Sequence, residues 1–117
     1  MSDTARAMVV ERRKEDWDSE FGRFLRLFQG HGEMPGLTWP TPTFSDAITV
    51  YLGKRRVDIM HLGRAHMAGD AVVWLPDAEV MFTGDIVEYR SACYCGDGHF
   101  ADWAARWRRL QPLARSP

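Results

Sequence analysis

Two short stretches of the sequence carry side chains that could bind a metal ion. The first lies between two predicted strands and reads Gly63-Arg64-Ala65-His66-Met67-Ala68-Gly69-Asp70; in the second, an apolar strand runs directly into Gly84-Asp85. Imidazole and carboxylate groups are good ligands for a borderline divalent ion such as zinc. Because both loops can meet at one sheet edge, His66 and Asp85 are candidate ligands. Spacing alone leaves a hydrogen-bonded histidine and an ordinary turn aspartate open as alternatives.

A second group of reactive side chains precedes the last predicted helix. Cys93, Cys95 and His99 fall within seven residues of one another, with Asp97 between them. This spacing matches no established zinc pattern, although a soft metal site remains an alternative. A disulfide between Cys93 and Cys95 would close a very tight, strained loop. We therefore predict two free thiols and a histidine at the rim of a substrate site.

The elements that must position these groups follow from hydrophobic periodicity. Residues 1–30 form a predicted helical segment that Ser2 or Asp3 could cap. Its apolar stripe comprises Trp17, Phe21, Phe24, Leu25 and Phe28. A loop rich in glycine and proline follows over 31–43, then a four-stranded sheet over 44–88 with turns at Gly53-Lys54 and Pro76-Asp77, and a helix over 98–111. The sequence therefore predicts a single α+β domain over 1–117, with the order helix, four strands, helix.

From about Thr43 to Trp107 the sequence resembles the C-terminal half of a metallo-β-lactamase-fold hydrolase. The resemblance rests on Gly63-x-x-His66-x-x-Gly69-Asp70, on the strand Val72-Val73-Trp74-Leu75-Pro76 and on Val80-Met81-Phe82-Thr83-Gly84-Asp85. It implies half of an αββα sandwich and zinc as the cofactor. In such proteins the histidine matching His66 binds one metal ion, and the aspartate matching Asp85 bridges two. Asp70 is expected to tie its own loop rather than bind metal.

Other ligands of that family have no counterpart in the 117 residues. The His-x-His-x-Asp-His motif and the last metal-binding histidine are absent from the sequence. A catalytic zinc ion takes three protein ligands and an open position. We therefore expect a truncated hydrolase-like chain that binds zinc weakly or not at all and is inactive in isolation. The alternative is a non-catalytic, self-associating remnant with a structural or interaction role.

Composition narrows the classes of partner. A formal charge of -1 gives no general attraction to nucleic acid, and no apolar run approaches the roughly 20 residues of a membrane span. Arg106, Arg108 and Arg109 are expected to form a solvated face on the last helix. The first residues do not resemble a secretion signal and cysteine is scarce, which favours the cytoplasm. Because half a sandwich would leave one sheet face uncovered, we expect a homodimer or larger oligomer, with a small-molecule substrate that the sequence does not identify.

Overall fold

The computed structural model of the chain describes residues 1–23, 32 and 38–111. Its elements are helix α1 (Asp3–Arg23), strands β1 (Ala47–Leu52), β2 (Arg55–Met60), β3 (Val72–Leu75) and β4 (Val80–Phe82), a 3₁₀ turn (Gly84–Ile86) and helix α2 (Phe100–Leu110). This order confirms the predicted α+β arrangement of helix, four strands and helix. The side chains of Phe21, Phe24, Leu25 and Phe28, which complete the predicted stripe, lie outside the described residues, as does most of the predicted loop 31–43.

The four strands form an antiparallel meander in the order β1-β2-β3-β4. Leu52 pairs with Arg55, so Gly53 and Lys54 form a two-residue hairpin loop, as predicted. Gly53 has a φ of 65°, a conformation that glycine adopts without steric cost. The turn after β3 begins at Pro76, and its loop connects Leu75 to its partner Val80. The residues of these two turns therefore determine the pairing of β1 with β2 and of β3 with β4.

The two faces of the sheet differ in chemistry. One face, which we call the apolar face, is almost entirely hydrophobic because the register aligns apolar side chains across all four strands. Its apolar members are Ile48, Val50, Leu52, Val57, Ile59, Val73, Leu75, Val80 and Phe82, and Arg55, opposite Leu52, is its one charged member. Val57 is buried, whereas Leu52 and Phe82, at opposite edges of the sheet, are 66% and 58% exposed. The opposite face includes Met60, Val72 and Met81 and packs into the core.

The core connects the sheet to the loops that carry the candidate ligands. Its buried members are Leu62, Ala65, Val72, Ile86 and Leu110, with Trp103 packed against them. Leu62 and Ala65 precede His66, Ile86 follows Asp85, and Leu110 belongs to α2. Burying these side chains therefore fixes the backbone on both sides of the candidate site, since the core tolerates little change in volume.

Helix α1 is attached to the same region by its first turn. The hydroxyl of the buried Ser2 accepts a hydrogen bond from the Ala5 amide at 3.1 Å, which makes Ser2 the helix cap. That hydroxyl also donates to the carbonyl of Gly69 at 2.9 Å. The Asp3 amide donates to the carbonyl of Phe44 at 2.9 Å, just ahead of β1. The start of α1 thus contacts both the sheet and the His66 loop. None of the helices in the described ranges is long and apolar enough to cross a membrane.

The arginines of α2 depart in part from the predicted solvated face. Arg108 is exposed, in agreement with the prediction. The Nη1 atom of Arg109 donates to the carbonyl of Leu62 at 3.0 Å. Arg106 is half-buried and lies so close to Gly63 that a Cβ there would come within 2.5 Å of its Nε. The prediction is wrong for Arg106 because the loop after β2 crosses this side of the helix.

Candidate functional site

The loop that carries His66 is held by hydrogen bonds at both ends. It leaves β2 through Gly63, whose φ of 104° suits glycine. The Asp70 carboxylate accepts a hydrogen bond from the Met67 amide at 2.9 Å, so Asp70 ties the loop as its turn chemistry predicts. The carbonyl of the fully buried Ala65 accepts from the His99 amide at 2.7 Å. His66 therefore projects from a loop whose backbone is restrained on either side.

Asp85 projects from the 3₁₀ turn that follows β4. Gly84 precedes it with a φ of 55°, which turns the chain sharply at the end of the strand. Ile86 follows it and is buried in the core, whereas the Asp85 side chain is 67% exposed. The buried isoleucine anchors the turn, and the adjacent carboxylate is left available to solvent or to a ligand.

The structure brings His66 and Asp85 together. The Nδ1 atom of His66 lies 3.9 Å from the Oδ2 atom of Asp85, and the His66 side chain is 12% exposed. This separation exceeds hydrogen-bond distance, so the two groups do not satisfy each other. Zinc binds nitrogen at about 2.0–2.1 Å and carboxylate oxygen at about 2.0–2.2 Å, so two donors at the tetrahedral angle lie about 3.4 Å apart. The 3.9 Å separation of the pair is about 0.5 Å wider than this, so the exposed Asp85 carboxylate must move slightly toward His66 for the two to share an ion.

The other candidate residues do not complete this pair. Within residues 1–23, 32 and 38–111, no three His, Cys, Asp or Glu side chains are grouped so that they could hold a metal ion. His61 is engaged elsewhere, since its Nδ1 atom lies 2.6 Å from the carbonyl of Asp70. His99 caps α2. His31 lies outside the described residues.

Cys93 and Cys95 are free thiols beside the Asp85 turn. The Sγ atom of Cys93 lies 3.8 Å from the carbonyl of Asp85, and that of Cys95 lies 3.3 Å from the carbonyl of Cys93. Desolvation raises the pKa of the Cys93 thiol from 9.0 to about 12, with hydrogen bonding to Glu88 and Cys95 adding to the effect. Cys93 is therefore protonated at neutral pH, which disfavours a role as nucleophile or metal ligand.

A pocket of about 430 Å³ opens next to Asp85. Indole rings, aliphatic side chains and two carboxylates form its walls. Its lining comprises Asp85, Ile86, Val87, Glu88, Ser91, Cys93, Trp103, Ala104 and Trp107. Of the three residues predicted at a substrate rim, the pocket therefore includes Cys93, while Cys95 and His99 do not line it.

Trp103 contacts the segments of both candidate ligands. Its Nε1 atom donates to the carbonyl of Ile86 at 3.0 Å, and its ring packs edge to face with the ring of His66. The helix predicted over 98–111 gives no separate role to Trp103. Helical spacing indicates which side of α2 is apolar, but it does not indicate that an indole N–H on that side will meet a loop carbonyl.

Comparison with known proteins relates this arrangement to one family. A profile of the metallo-beta-lactamase superfamily matches residues 2–117. A metallo-beta-lactamase type 2 of Bacteroides fragilis is 33% identical over 70 residues, which are 60% of this chain and 28% of that protein.

Solved structures give the same relationship at the level of the fold. A metallo-beta-lactamase from Pontibacter korlensis superimposes with a TM-score of 0.57 and 28% identity, over 64% of this chain and 36% of that one. The metallo-beta-lactamase IND-7 has a TM-score of 0.57 and 20% identity, over 77% and 41% of the two chains. The chain thus spans less than half the length of these relatives.

Proposed function

Because this chain belongs to the metallo-beta-lactamase superfamily, we propose that His66 and Asp85 are its contribution to a metal centre for hydrolysis, with zinc as the metal. The observation that carries the proposal is the 3.9 Å separation of the two donor atoms, which come from separate loops at the same end of the sheet. Neither group forms a hydrogen bond to the other, so both remain available to an ion.

The chemistry of the donor set supports zinc. Zinc combines readily with imidazole nitrogen and carboxylate oxygen. A zinc ion, when bound, acts as a Lewis acid that polarises a carbonyl or phosphoryl oxygen and makes a water ligand more acidic. The protein residues hold the donors in place: Asp70 ties the His66 loop and Ile86 anchors the Asp85 turn.

The proposal includes weak binding by these two donors alone. Catalytic zinc takes three protein ligands, and the described part of the chain groups only His66 with Asp85. Turnover therefore requires further ligands beyond this pair. If none is supplied, the alternative function applies, in which the domain has a structural or interaction role without catalysis.

Self-association is the second part of the proposal. The apolar face includes four side chains, Val50, Leu52, Val80 and Phe82, that are more than a third exposed. Exposed apolar side chains on both edge strands of one sheet face favour an interaction surface, because leaving them in water costs about 25 cal/mol per Å². A second copy of the chain is the partner we propose, since pairing about a two-fold axis is the commonest mode of assembly.

Zinc titration by calorimetry tests the metal proposal. Metal-free wild type should bind zinc in a saturable manner, and His66→Ala and Asp85→Ala should each abolish that binding. Asp77→Asn is the matched control, because this carboxylate pairs with Arg55 on the turn after β3 and does not approach His66. Wild-type protein without saturable zinc binding would contradict the proposal and leave the non-catalytic alternative.

A further inference from the structure

One side chain of α2 touches both segments that carry the candidate ligands. The Nε1–H group of Trp103 donates to the carbonyl of Ile86 at 3.0 Å, on the residue directly after Asp85. Because Ile86 is buried in the core, this hydrogen bond joins the helix to the 3₁₀ turn at a point that has little freedom to move.

The same indole ring packs against the candidate imidazole. The centroids of the Trp103 and His66 rings are 5.8 Å apart, and the ring planes meet at 80°. This edge-to-face geometry lies within the range that aromatic pairs prefer. The contact covers one side of His66, whose side chain is only 12% exposed. It therefore restricts the direction in which the imidazole can turn.

The helix that carries Trp103 is itself fixed to the His66 loop. The His99 amide, at the start of α2, donates to the carbonyl of Ala65 at 2.7 Å, next to His66. One residue before Trp103, Asp102 forms an ion pair with Arg64 at 2.7 Å. Phe100 stacks on the Trp103 ring with a centroid separation of 6.1 Å. Trp103 is thus held on a helix that cannot shift without moving the loop.

We propose that Trp103 is a positioning residue that sets the separation of His66 and Asp85 and so prearranges the two donors for a divalent ion. This inference rests on the proposed metal function. A histidine and an aspartate at 3.9 Å could close to a direct hydrogen bond of about 2.7–3.2 Å, which would occupy both donor atoms. Trp103 opposes this collapse because it holds the imidazole by its ring and the aspartate turn by its N–H group.

Cobalt titration followed by visible absorption tests the inference, since the spectrum reports both affinity and coordination geometry. Trp103→Leu removes the ring contact and the hydrogen bond, and Trp103→Phe removes the hydrogen bond while keeping an aromatic ring. We expect Trp103→Leu to lower cobalt affinity by about 10–100-fold, as for other groups that orient metal ligands, and to alter the spectrum. Trp103→Phe should fall between Trp103→Leu and wild type.

Trp74→Phe is the control for a purely structural effect. Trp74 is buried on β3, and its neighbours in the sheet register are Asp58 and Met81, neither of which is a proposed donor. This variant should lose stability but keep the wild-type affinity and spectrum. Equal cobalt affinity in wild type and in folded Trp103→Leu would overturn the inference, as would equal losses in Trp103→Leu and Trp74→Phe.

A metal-free measurement separates failure of this inference from failure of the metal proposal. In wild type, ¹⁵N relaxation should give order parameters of about 0.85 for the amides of Asp85 and Ile86, the value of rigid backbone. In Trp103→Leu they should fall below about 0.6, whereas Trp74→Phe should leave them unchanged. Unchanged order parameters in Trp103→Leu would overturn the inference. If wild type binds no metal, the proposed function fails while this measurement still decides whether Trp103 restrains the turn.

Discussion

Replacing Gly69 with alanine tests how closely α1 packs on the loop that carries His66. A Cβ on residue 69 would lie 2.5 Å from both the Cα and the Cβ of Ala5, and 2.8 Å from its backbone nitrogen. Carbon atoms in contact prefer about 3.5–4.0 Å, so α1 must retreat by roughly 1 Å. Because backbone atoms are involved, no change of side-chain rotamer relieves the overlap. The movement would also stretch the hydrogen bond from the Ser2 hydroxyl to the Gly69 carbonyl.

Overpacking of this kind costs about 1–3 kcal/mol, and loss of the hydrogen bond adds about 0.5–1.5 kcal/mol. Alanine also lowers the conformational entropy of the unfolded chain, which stabilises the folded state by about 0.4–1 kcal/mol. We therefore expect Gly69→Ala to lower the free energy of unfolding by about 0.5–4 kcal/mol, measured by urea denaturation with circular dichroism.

The matched control is Gly22→Ala. In the part of the chain that the structure describes, no atom outside its own helix lies within 4 Å of a Cβ at this position, which is in α1. Alanine is the better helix former, so this variant should gain up to about 1 kcal/mol. A Gly69→Ala variant as stable as wild type would show that α1 does not pack this closely on the loop that carries His66.

Three further predictions concern pH, thiol reactivity and assembly. Hydrogen bonds from Thr49 and then Arg56 lower the pKa of the Asp58 carboxyl below 3.8 in the folded protein. Its contribution to stability is therefore present above pH 3.8 and is lost as the pH falls through the pKa of the folded state. In urea denaturation at pH 7 and pH 3, Asp58→Asn should lose less stability between the two pH values than wild type does. Because desolvation raises the pKa of the Cys93 thiol, Cys93 should react with iodoacetamide at pH 8 at least about tenfold more slowly than an unperturbed cysteine, as followed by mass spectrometry; labelling at the unperturbed rate would contradict the raised pKa. Light scattering should give twice the chain mass of 13.4 kDa, and Phe82→Lys should give the monomer; a wild-type monomer at micromolar concentration would count against self-association.

The strands were predictable from the sequence because their turns carry clear local signals. Gly53-Lys54 and Pro76-Asp77 mark the two turns, and the period-two pattern between them gives the strands. The loop geometry of the site was harder to predict from the sequence, because it depends on contacts between residues far apart in the chain. The spacing of Trp103 on α2 indicates an apolar side, but its hydrogen bond to Ile86 depends on how that helix lies across the 3₁₀ turn.

The partial burial of Arg106 on α2 also depends on a contact between residues far apart in the chain. Arg106 follows the pattern of a charged residue on a helix surface, and the sequence therefore predicts that it belongs to a solvated face. It is half-buried because the loop after β2 passes over it, and Gly63 lacks the Cβ that would block this approach. Nothing local in the sequence around Arg106 indicates that a glycine more than 40 residues earlier will be its neighbour.

The meander also has a consequence for the order in which the protein folds. Each strand pairs with its neighbour in the chain, so these pairings close short loops and carry a small entropic penalty. The contact between Ser2 and Gly69, in contrast, spans 67 residues. The sheet, with the His66 loop closed between β2 and β3, can therefore form in the transition state before α1 packs against it. Disturbing the α1 contact should then mainly accelerate unfolding and leave the refolding rate nearly unchanged.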